Sequence, residues 1–502
     1  LARALPRAAP AVGRLRVGIA GGGIAGSILA SQLAREPALD VAVYERQPRG
    51  ALPPGLNLLV SHNGMAALAD MDGQLAAEIR KVGVLKVAWS ARMMTGEALY
   101  AIPDVQAAGL ADAPGVVARW DEVAAAVQAA VPEAAVRWET SVDSFRHEQR
   151  HGRQALRLTL REGDGEGARR YEEEVDLLVA CDGRYSSVRR AAEGGELPAP
   201  SFGPPHIADF RLVVPDTTDG LLGSLERVYN VPGRRCVELG GPLAHLADAD
   251  PAFLSHCMAG LVRVGVGRLW DRAGRPLAGI FGNVCMPGGG APVPEAAKTP
   301  DGLRALFTPA EGEAALDELG RFVLDALTRH AAQIHWARKQ EVPVRYRGAH
   351  GHVLFIGDSA GAFYPTLAQG ATLAIEDACA AAAVLRASAQ RELDVAATTE
   401  LLQRLRAPRR AEIAAASRAH AEHVARGGRT ALSAETADWL GEPGGHAPAG
   451  AWRRRLRGIW RGWPRQAECF AAAERQAECF AAGHAFGEDN DVVEVDVNVD
   501  AR

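Results

Sequence analysis

Residues 14–45 run through an apolar stretch (LRVGIA, 15–20), three consecutive glycines at 21–23 and a helical pattern that opens at Ile24. Pro37 stops the helix, and a second apolar stretch (VAVY, 41–44) ends on Glu45. A strand, a glycine turn, a helix, a strand and an acid in that order constrain the fold more than any other feature of the chain. Two strands joined through a helix run parallel, and a parallel sheet needs helices on its faces, so the chain opens as an α/β protein. Gly21 permits the tight turn, Gly23 lets the backbone approach a pyrophosphate, and Gly26 allows the helix to pack closely on the strand. The helix start offers free N–H groups and a positive dipole end to phosphates. Glu45, 19 residues after Gly26, stands where a carboxylate accepts from ribose hydroxyls. The pattern predicts a dinucleotide site and leaves NAD and FAD both open.

Size bears on how much surrounds that unit. A single core rarely grows past about 250–300 residues, so 502 residues predict at least two lobes. With 48% hydrophobic and 23% charged residues the chain has an ordinary globular composition. No run approaches the roughly 18 apolar residues of a membrane span. The balance of 61 acidic to 56 basic residues argues against a nucleic-acid surface. Seven scattered cysteines, with no CxxC pair and no Cys/His cluster of zinc spacing, suit reduced thiols and predict no metal site.

Farther along, Ser61 is placed to cap a helix through Met71, and a helix is expected over 119–131 before Pro132. Alternating segments over 142–180 predict strands, and the more continuously apolar 175–181 predicts a buried parallel one. Residues 205–345, rich in short strands, glycine and proline, are expected to form a mainly antiparallel second lobe with a helix near 314–330. The βα alternation returns at 352–356, followed by helices over about 367–385 and 394–425.

Two later motifs decide between the nucleotides. Residues 176–189 (DLLVACDGRYSSVR) and 357–378 (GDSAGAFYPTLAQGATLAIEDA), together with the N-terminal glycines, resemble the fingerprints of the group A flavin-dependent aromatic monooxygenases, the para-hydroxybenzoate and salicylate hydroxylase-like family. The resemblance spans about residues 15–425. It implies a Rossmann-like FAD-binding domain interleaved with a smaller, mostly antiparallel β substrate domain. The implied division is 15–204 for the first part of the FAD domain, with short substrate-lobe strands near 85–105. The substrate sheet would follow over 205–345, and the second FAD part with a C-terminal helix over 346–427. The implied activity is hydroxylation of a small aromatic or heteroaromatic substrate by FAD, NADH or NADPH, and O2, through a flavin C4a-hydroperoxide.

The same resemblance assigns roles. Gly21, Gly23 and Gly26 would hold the FAD pyrophosphate and Glu45 the adenosine ribose, with Arg46 beside it at the adenosine end. Arg119 would reach the FAD, Asp182 and Gly183 would serve both FAD and the nicotinamide donor, and Asp358 would bind the ribityl chain. Gly370 and Ala371 would place backbone N–H groups near the isoalloxazine O2, and Pro365 would lie at the flavin edge facing the substrate. No acid–base catalytic residue is expected, since the cofactor carries the oxygen chemistry. Gly361 departs from the family pattern, standing where a histidine is usual. Arg211, His206 and Tyr229 fall in the expected substrate lobe without a definite role.

Rival readings are a reductase or a halogenase on the same scaffold, and a flavin-binding protein that no longer hydroxylates and works through its tail. The WxWxIP motif of tryptophan halogenases has no match here, and only four lysines could stand for their essential one. Residues 1–14 read as a disordered leader, or as the remnant of a transit peptide. A cytoplasmic location is therefore expected, with an organelle as the alternative. In the tail, 428–502, an Arg/Trp-rich segment (452–465) precedes a ten-residue duplication and an acidic end. Pairing of 452–465 with the acidic end or a partner is preferred to a peripheral membrane contact.

Overall fold

The computed structural model describes residues 14–52, 57–86, 88–93, 98–103, 115–150, 153–195, 207–218, 222, 236–242, 261–271, 273–285, 293–308, 312–338, 341–390 and 394–426. The leader, His206, Tyr229 and everything expected of 428–502 lie outside these residues.

The chain opens with β1 (Leu15–Ala20), α1 (Ile24–Leu33), β2 (Leu39–Glu45), β3 (Asn57–Val60), α2 (His62–Met71) and α3 (Gly73–Val82). It continues through β4 (Val84–Lys86), β5 (Ala88–Met93), β6 (Ala98–Pro103), β7 (Gly115–Arg119), α4 (Trp120–Gln128) and β8 (Val136–Trp138). Next come β9 (Thr140–Arg150), β10 (Arg153–Glu162), β11 (Arg169–Val175), β12 (Leu177–Ala180) and α5 (Ser187–Ala192). The middle of the chain forms β13 (Ile207–Pro215), β14 (Cys236–Pro242), β15 (Leu261–Trp270), β16 (Pro276–Cys285), α6 (Pro300–Phe307), α7 (Glu318–Arg329) and β17 (His335–Arg338). The last elements are β18 (Val353–Phe355), α8 (Gly370–Gln390) and α9 (Val395–Arg426).

The first sheet has the order β18-β12-β1-β2-β8, parallel throughout. Helices cover one face of it and the antiparallel strands β9, β10 and β11 cover the other, in place of the helices expected on both, which is why its central strands read as unbroken apolar runs: all of β12 (LLVA) and the last four residues of β1 are buried. Every residue of α1 is buried too, because it packs against the sheet on one side and against α8 and α4 on others. A separate sheet, β11-β10-β9, alternates as a one-sided sheet should. Leu156, Leu158 and Leu160 face the core, while Arg157 and Arg161, on the alternate face, pair with Glu148 and Asp143.

The second lobe is built on a seven-stranded sheet, β17-β13-β16-β15-β14-β5-β6. It is antiparallel except for the β14–β5 pair, which is parallel. Two of its strands, β5 and β6, come from residues 88–103, so the lobes interleave; β4 instead joins β3 and β7 in a small fourth sheet. Phe210, Leu212, Val264, Val266 and Ile280 point from one face into a core closed by Leu303, Phe307, Leu319, Val323 and Leu327 of α6 and α7. The rings of Phe210 and Phe307 meet edge to face at 5.3 Å. The opposite face carries Arg211, whose Nη1 donates to the carbonyl of Asn57 at 3.0 Å. Leu269, Val213 and Leu277 of this sheet meet Leu59 and Val117, closing the seam between the lobes.

Two expected helix boundaries shift, each for a local reason, and one expected cap is made differently. The helix expected to 131 ends at Gln128, because the residue before Pro132 is driven out of the helical region. The helix expected from 367 starts at Gly370, because residues 365–367 form a 3-10 turn and Ala368 adopts a left-handed conformation (φ 52°). Ser61 does cap α2 by position, but its hydroxyl makes no capping bond and instead accepts from Gln369 Nε2 at 3.0 Å.

Candidate functional site

The carboxyl ends of β1, β2, β12 and β18 lie side by side, and the motif residues follow directly from them. Gly21 continues from β1 with φ +97°, and a Cβ there would lie 2.7 Å from the carbonyl oxygen of Cys181. A Cβ on Gly26 would lie 2.0 Å from the carbonyl oxygen of Gly21. Both glycines are thus fixed by the protein's own backbone. Gly23 differs: it caps α1 with an ordinary φ of −72°, no side chain caps the helix, and nothing lies within 4 Å of where its Cβ would be. The helix end therefore opens on a backbone-lined cradle.

Glu45 closes one side of the cradle. Its Oε2 accepts from Gly22 N at 2.6 Å and its Oε1 from Gln47 N at 2.8 Å, which aims the carboxylate and leaves further lone pairs to accept with. Arg46 is exposed and pairs with no side chain among the described residues. Arg119 is the last residue of β7 and the N-cap of α4, opposite Asn57 in the β3–β7 register. A two-point contact with Asp121, at 3.1 and 2.5 Å, holds its guanidinium.

Asp182 follows β12. Its Oδ2 accepts from Ser187 Oγ at 3.2 Å and Val188 N at 3.3 Å, whereas Oδ1 is buried with no partner. Burial pushes its carboxyl above the ordinary aspartate range. Gly183 has φ +82° and open space where a Cβ would be. A buried acceptor with nothing donating to it is what a ligand hydroxyl or amide would satisfy.

Asp358 lies in a 3-10 turn just after β18, half-buried, and its carboxylate accepts no hydrogen bond among the described residues. The turn is tied down around it: Ser359 Oγ donates to Ala180 O at 2.7 Å, and Gly357 N donates to Asp377 Oδ2 at 2.9 Å. Arg189 of α5, only 1% exposed, donates to Ser359 O at 2.9 Å and Pro343 O at 2.8 Å, joining the 176–189 motif to the 357–378 motif. Pro365 opens the next turn, and Gly370 and Ala371 are the first residues of α8, with open space around Gly370. At Gly361 φ is +152°, and a Cβ would press within 3.2 Å of Val342 O and Val344 Cα. The loop is built around glycine at that position.

All twelve motif residues are thus placed, most of them at or beside one sheet edge; Arg46 points to solvent. Glu376 and Asp377 lie inside the 357–378 motif with no role that the sequence assigns, and Tyr346, Asn63, Arg406, Arg409 and Arg410 lie outside every motif. These residues form a buried ionic cluster beneath the loop. Their signal in the sequence, two acids inside an apolar helix and three arginines in a later one, becomes specific only when the helices are docked. Among the described residues no group of three or more His, Cys, Asp or Glu could hold a metal ion, and no helix is long and apolar enough to cross a membrane.

No protein-family model matches the chain, and no curated protein matches its sequence. Solved structures match its fold. HpxO of Klebsiella pneumoniae, complexed with FAD and uric acid, is 18% identical with a TM-score of 0.61, over 90% of this chain and 96% of its own. A salicylate hydroxylase substrate complex is 17% identical with a TM-score of 0.60, over 95% of this chain and all of its own (100%). The 2,6-dihydroxypyridine-3-hydroxylase of Arthrobacter nicotinovorans is 16% identical with a TM-score of 0.58, over 82% and 93%. The fold is the one these proteins share: a Rossmann-like domain on a parallel sheet, interleaved with a lobe built on a mostly antiparallel one.

Proposed function

We propose that this chain is an FAD-dependent monooxygenase that consumes NADH or NADPH and hydroxylates a small aromatic or heteroaromatic compound. The observation that carries the reading is the convergence of four distant segments at one sheet edge, each presenting unfilled backbone or carboxylate groups. In open α/β sheets ligands bind at that edge. The fold-sharing proteins support the substrate class, since one was solved with uric acid and others are hydroxylases of salicylate and of a dihydroxypyridine.

The residues fit FAD in chemical kind. The α1 terminus and the cradle over Gly23 receive the pyrophosphate, and Glu45 accepts from the adenosine ribose. Asp358 presents a free carboxylate to the ribityl hydroxyls, and Asp182 Oδ1 takes a donor from the ligand. Arg119, held by Asp121, contributes positive charge beside α4. The first amides of α8, at Gly370 and Ala371, stabilise negative charge that develops on the ring system. When bound, FAD would supply the redox chemistry, linking oxidation of NADH or NADPH and reduction of O2 to hydroxylation of the ring. One substrate C–H becomes C–OH, the nicotinamide is oxidised, and the second oxygen leaves as water. The chain's own part is to hold the aromatic ring, orient it and exclude water. Arg211, on the sheet face turned to the seam, is 3.8 Å from Asp209 and donates to the Asn57 carbonyl, and it is given no definite role toward the substrate.

Purified protein reconstituted with FAD should turn yellow and oxidise NADH or NADPH faster with one member of a panel of hydroxybenzoates, phenols and pyridine acids, with little peroxide released. Failure to retain FAD would sink the reading. Chloride-dependent product, or double-bond reduction without O2 uptake, would favour the halogenase or the reductase instead.

A further inference from the structure

Glu376 and Asp377 are consecutive in α8 and wholly buried, as are Arg406 and Arg410 of α9, with Arg409 nearly so. Neighbours in a helix point about 100° apart, so the two acids face different sides. Asp377 faces the 357–361 loop. Its Oδ1 accepts from Tyr346 Oη and Arg406 Nε, both at 2.8 Å. Its Oδ2 accepts from Arg410 Nη2 at 2.6 Å and Gly357 N at 2.9 Å. Arg410 reaches the far end of the same loop, its Nη1 donating to Gly361 O at 2.6 Å, while its Nε donates to Tyr346 Oη at 2.7 Å. Asp358 lies between these two anchored glycines.

Glu376 faces α2 and α9. Its Oε1 accepts from Asn63 Nδ2 at 2.6 Å and Arg409 Nη2 at 2.9 Å; its Oε2 accepts from Arg406 Nη2 at 2.9 Å and Arg409 Nε at 3.3 Å. Asn63 Nδ2 also donates to Gln369 Oε1 at 3.0 Å, and Gln369 immediately precedes Gly370 and Ala371. Each acid accepts four hydrogen bonds, which fills a carboxylate.

We infer that α9 is a positioning element for the cofactor site, acting through two arms that meet only at Arg406, which donates to both acids. The Asp377–Arg410 arm sets the loop that presents Asp358, and the Glu376–Asn63–Gln369 arm sets the amides that open α8. A buried ion network is a weak source of net stability, since desolvation offsets the attraction, but it fixes geometry sharply because each member has one satisfied arrangement. The inference rests on the FAD reading above, and the two arms should separate by what each presents to the cofactor.

The test uses the full-length protein reconstituted with FAD, measuring the dissociation constant of FAD by fluorescence and the midpoint potential of bound FAD by spectroelectrochemistry. Arg410→Met should weaken FAD binding tenfold or more and leave the potential in place, with Arg410→Lys recovering much of the affinity. Asn63→Leu should keep affinity within threefold and move the potential to more negative values, because misaligned amides stabilise reduced flavin less. Leu327→Ala, in the other lobe's core, serves as a control that lowers thermal stability and moves neither readout. If either variant fails to fold, Arg410→Gln and Asn63→Ser carry the same comparison. Affinity and potential falling together in step with melting temperature, or neither moving, would overturn the inference. Wild-type protein that binds no FAD would overturn the function proposed above and this inference with it; a wild type that binds, beside unaltered variants, overturns this inference alone.

Discussion

Gly21 and Gly26 are demanded by the protein itself, whereas Gly23 between them is demanded by nothing in it. Adding a methyl group at Gly26 drives it into the Gly21 carbonyl, so Gly26→Ala should destabilise the protein by about 1–3 kcal/mol in denaturant unfolding, the usual range for forced overpacking. Gly23→Ala should unfold like wild type and yet lose FAD affinity, since its methyl group enters the open cradle. A Gly23→Ala protein that binds FAD normally would remove the phosphate assignment. Asp182 makes a second, pH-dependent case. Its carboxyl is raised by burial, so the folded state holds the proton more tightly and ionisation lowers stability as pH rises past the ordinary aspartate value of about 4. Asp182→Asn should therefore melt higher than wild type at pH 7 to 8, with the gap closing toward pH 4, while binding FAD less well. These residues were legible in the sequence because their constraints are local: a turn, a helix start and an acid at a strand end all lie within a few tens of residues.

Pairing between elements was much less legible. Asp377 and Arg410 are 33 residues apart on two helices, and alanine-rich helices do not announce which faces will meet. Likewise nothing local to residues 88–103 says that they complete a sheet whose other strands begin at Ile207. The α8–α9 cluster has a measurable consequence in acid. Burial pushes the Glu376 carboxyl up, but Arg409 and Arg406 outweigh it and hold it at about 2. A depressed folded value means that the stabilisation is complete above the ordinary glutamate value of about 4 and is lost as pH falls toward about 2. Glu376→Gln should therefore cost most stability near pH 7 and progressively less between pH 4 and pH 2, measured by urea unfolding. A pH-independent difference would show that Glu376 is not held ionised by its arginines.

At the scale of the whole molecule, the two cores are separate but the chain that builds them is not. The sheet of the second lobe needs β5 and β6 on its edge and is covered at the seam by β3 and β7. A fragment of residues 205–345 alone would leave β14 without its β5 partner, and such an exposed edge invites association. That fragment should show no cooperative thermal transition; a sharp one would mean that the lobe folds by itself. The same interleaving orders events in time. In the parallel sheet, β18 stands outside β12, so the edge holding Asp182 gains Asp358 and its arginine anchors only after some two hundred further residues have been made. At ribosomal rates of about 5–20 residues per second, that is a wait on the order of tens of seconds. Through that interval the nascent chain displays half a cradle, with the buried strand β12 still uncovered on one side. A cradle whose last pieces arrive with residues 358–410 cannot close around any ligand until the whole second lobe has already been made.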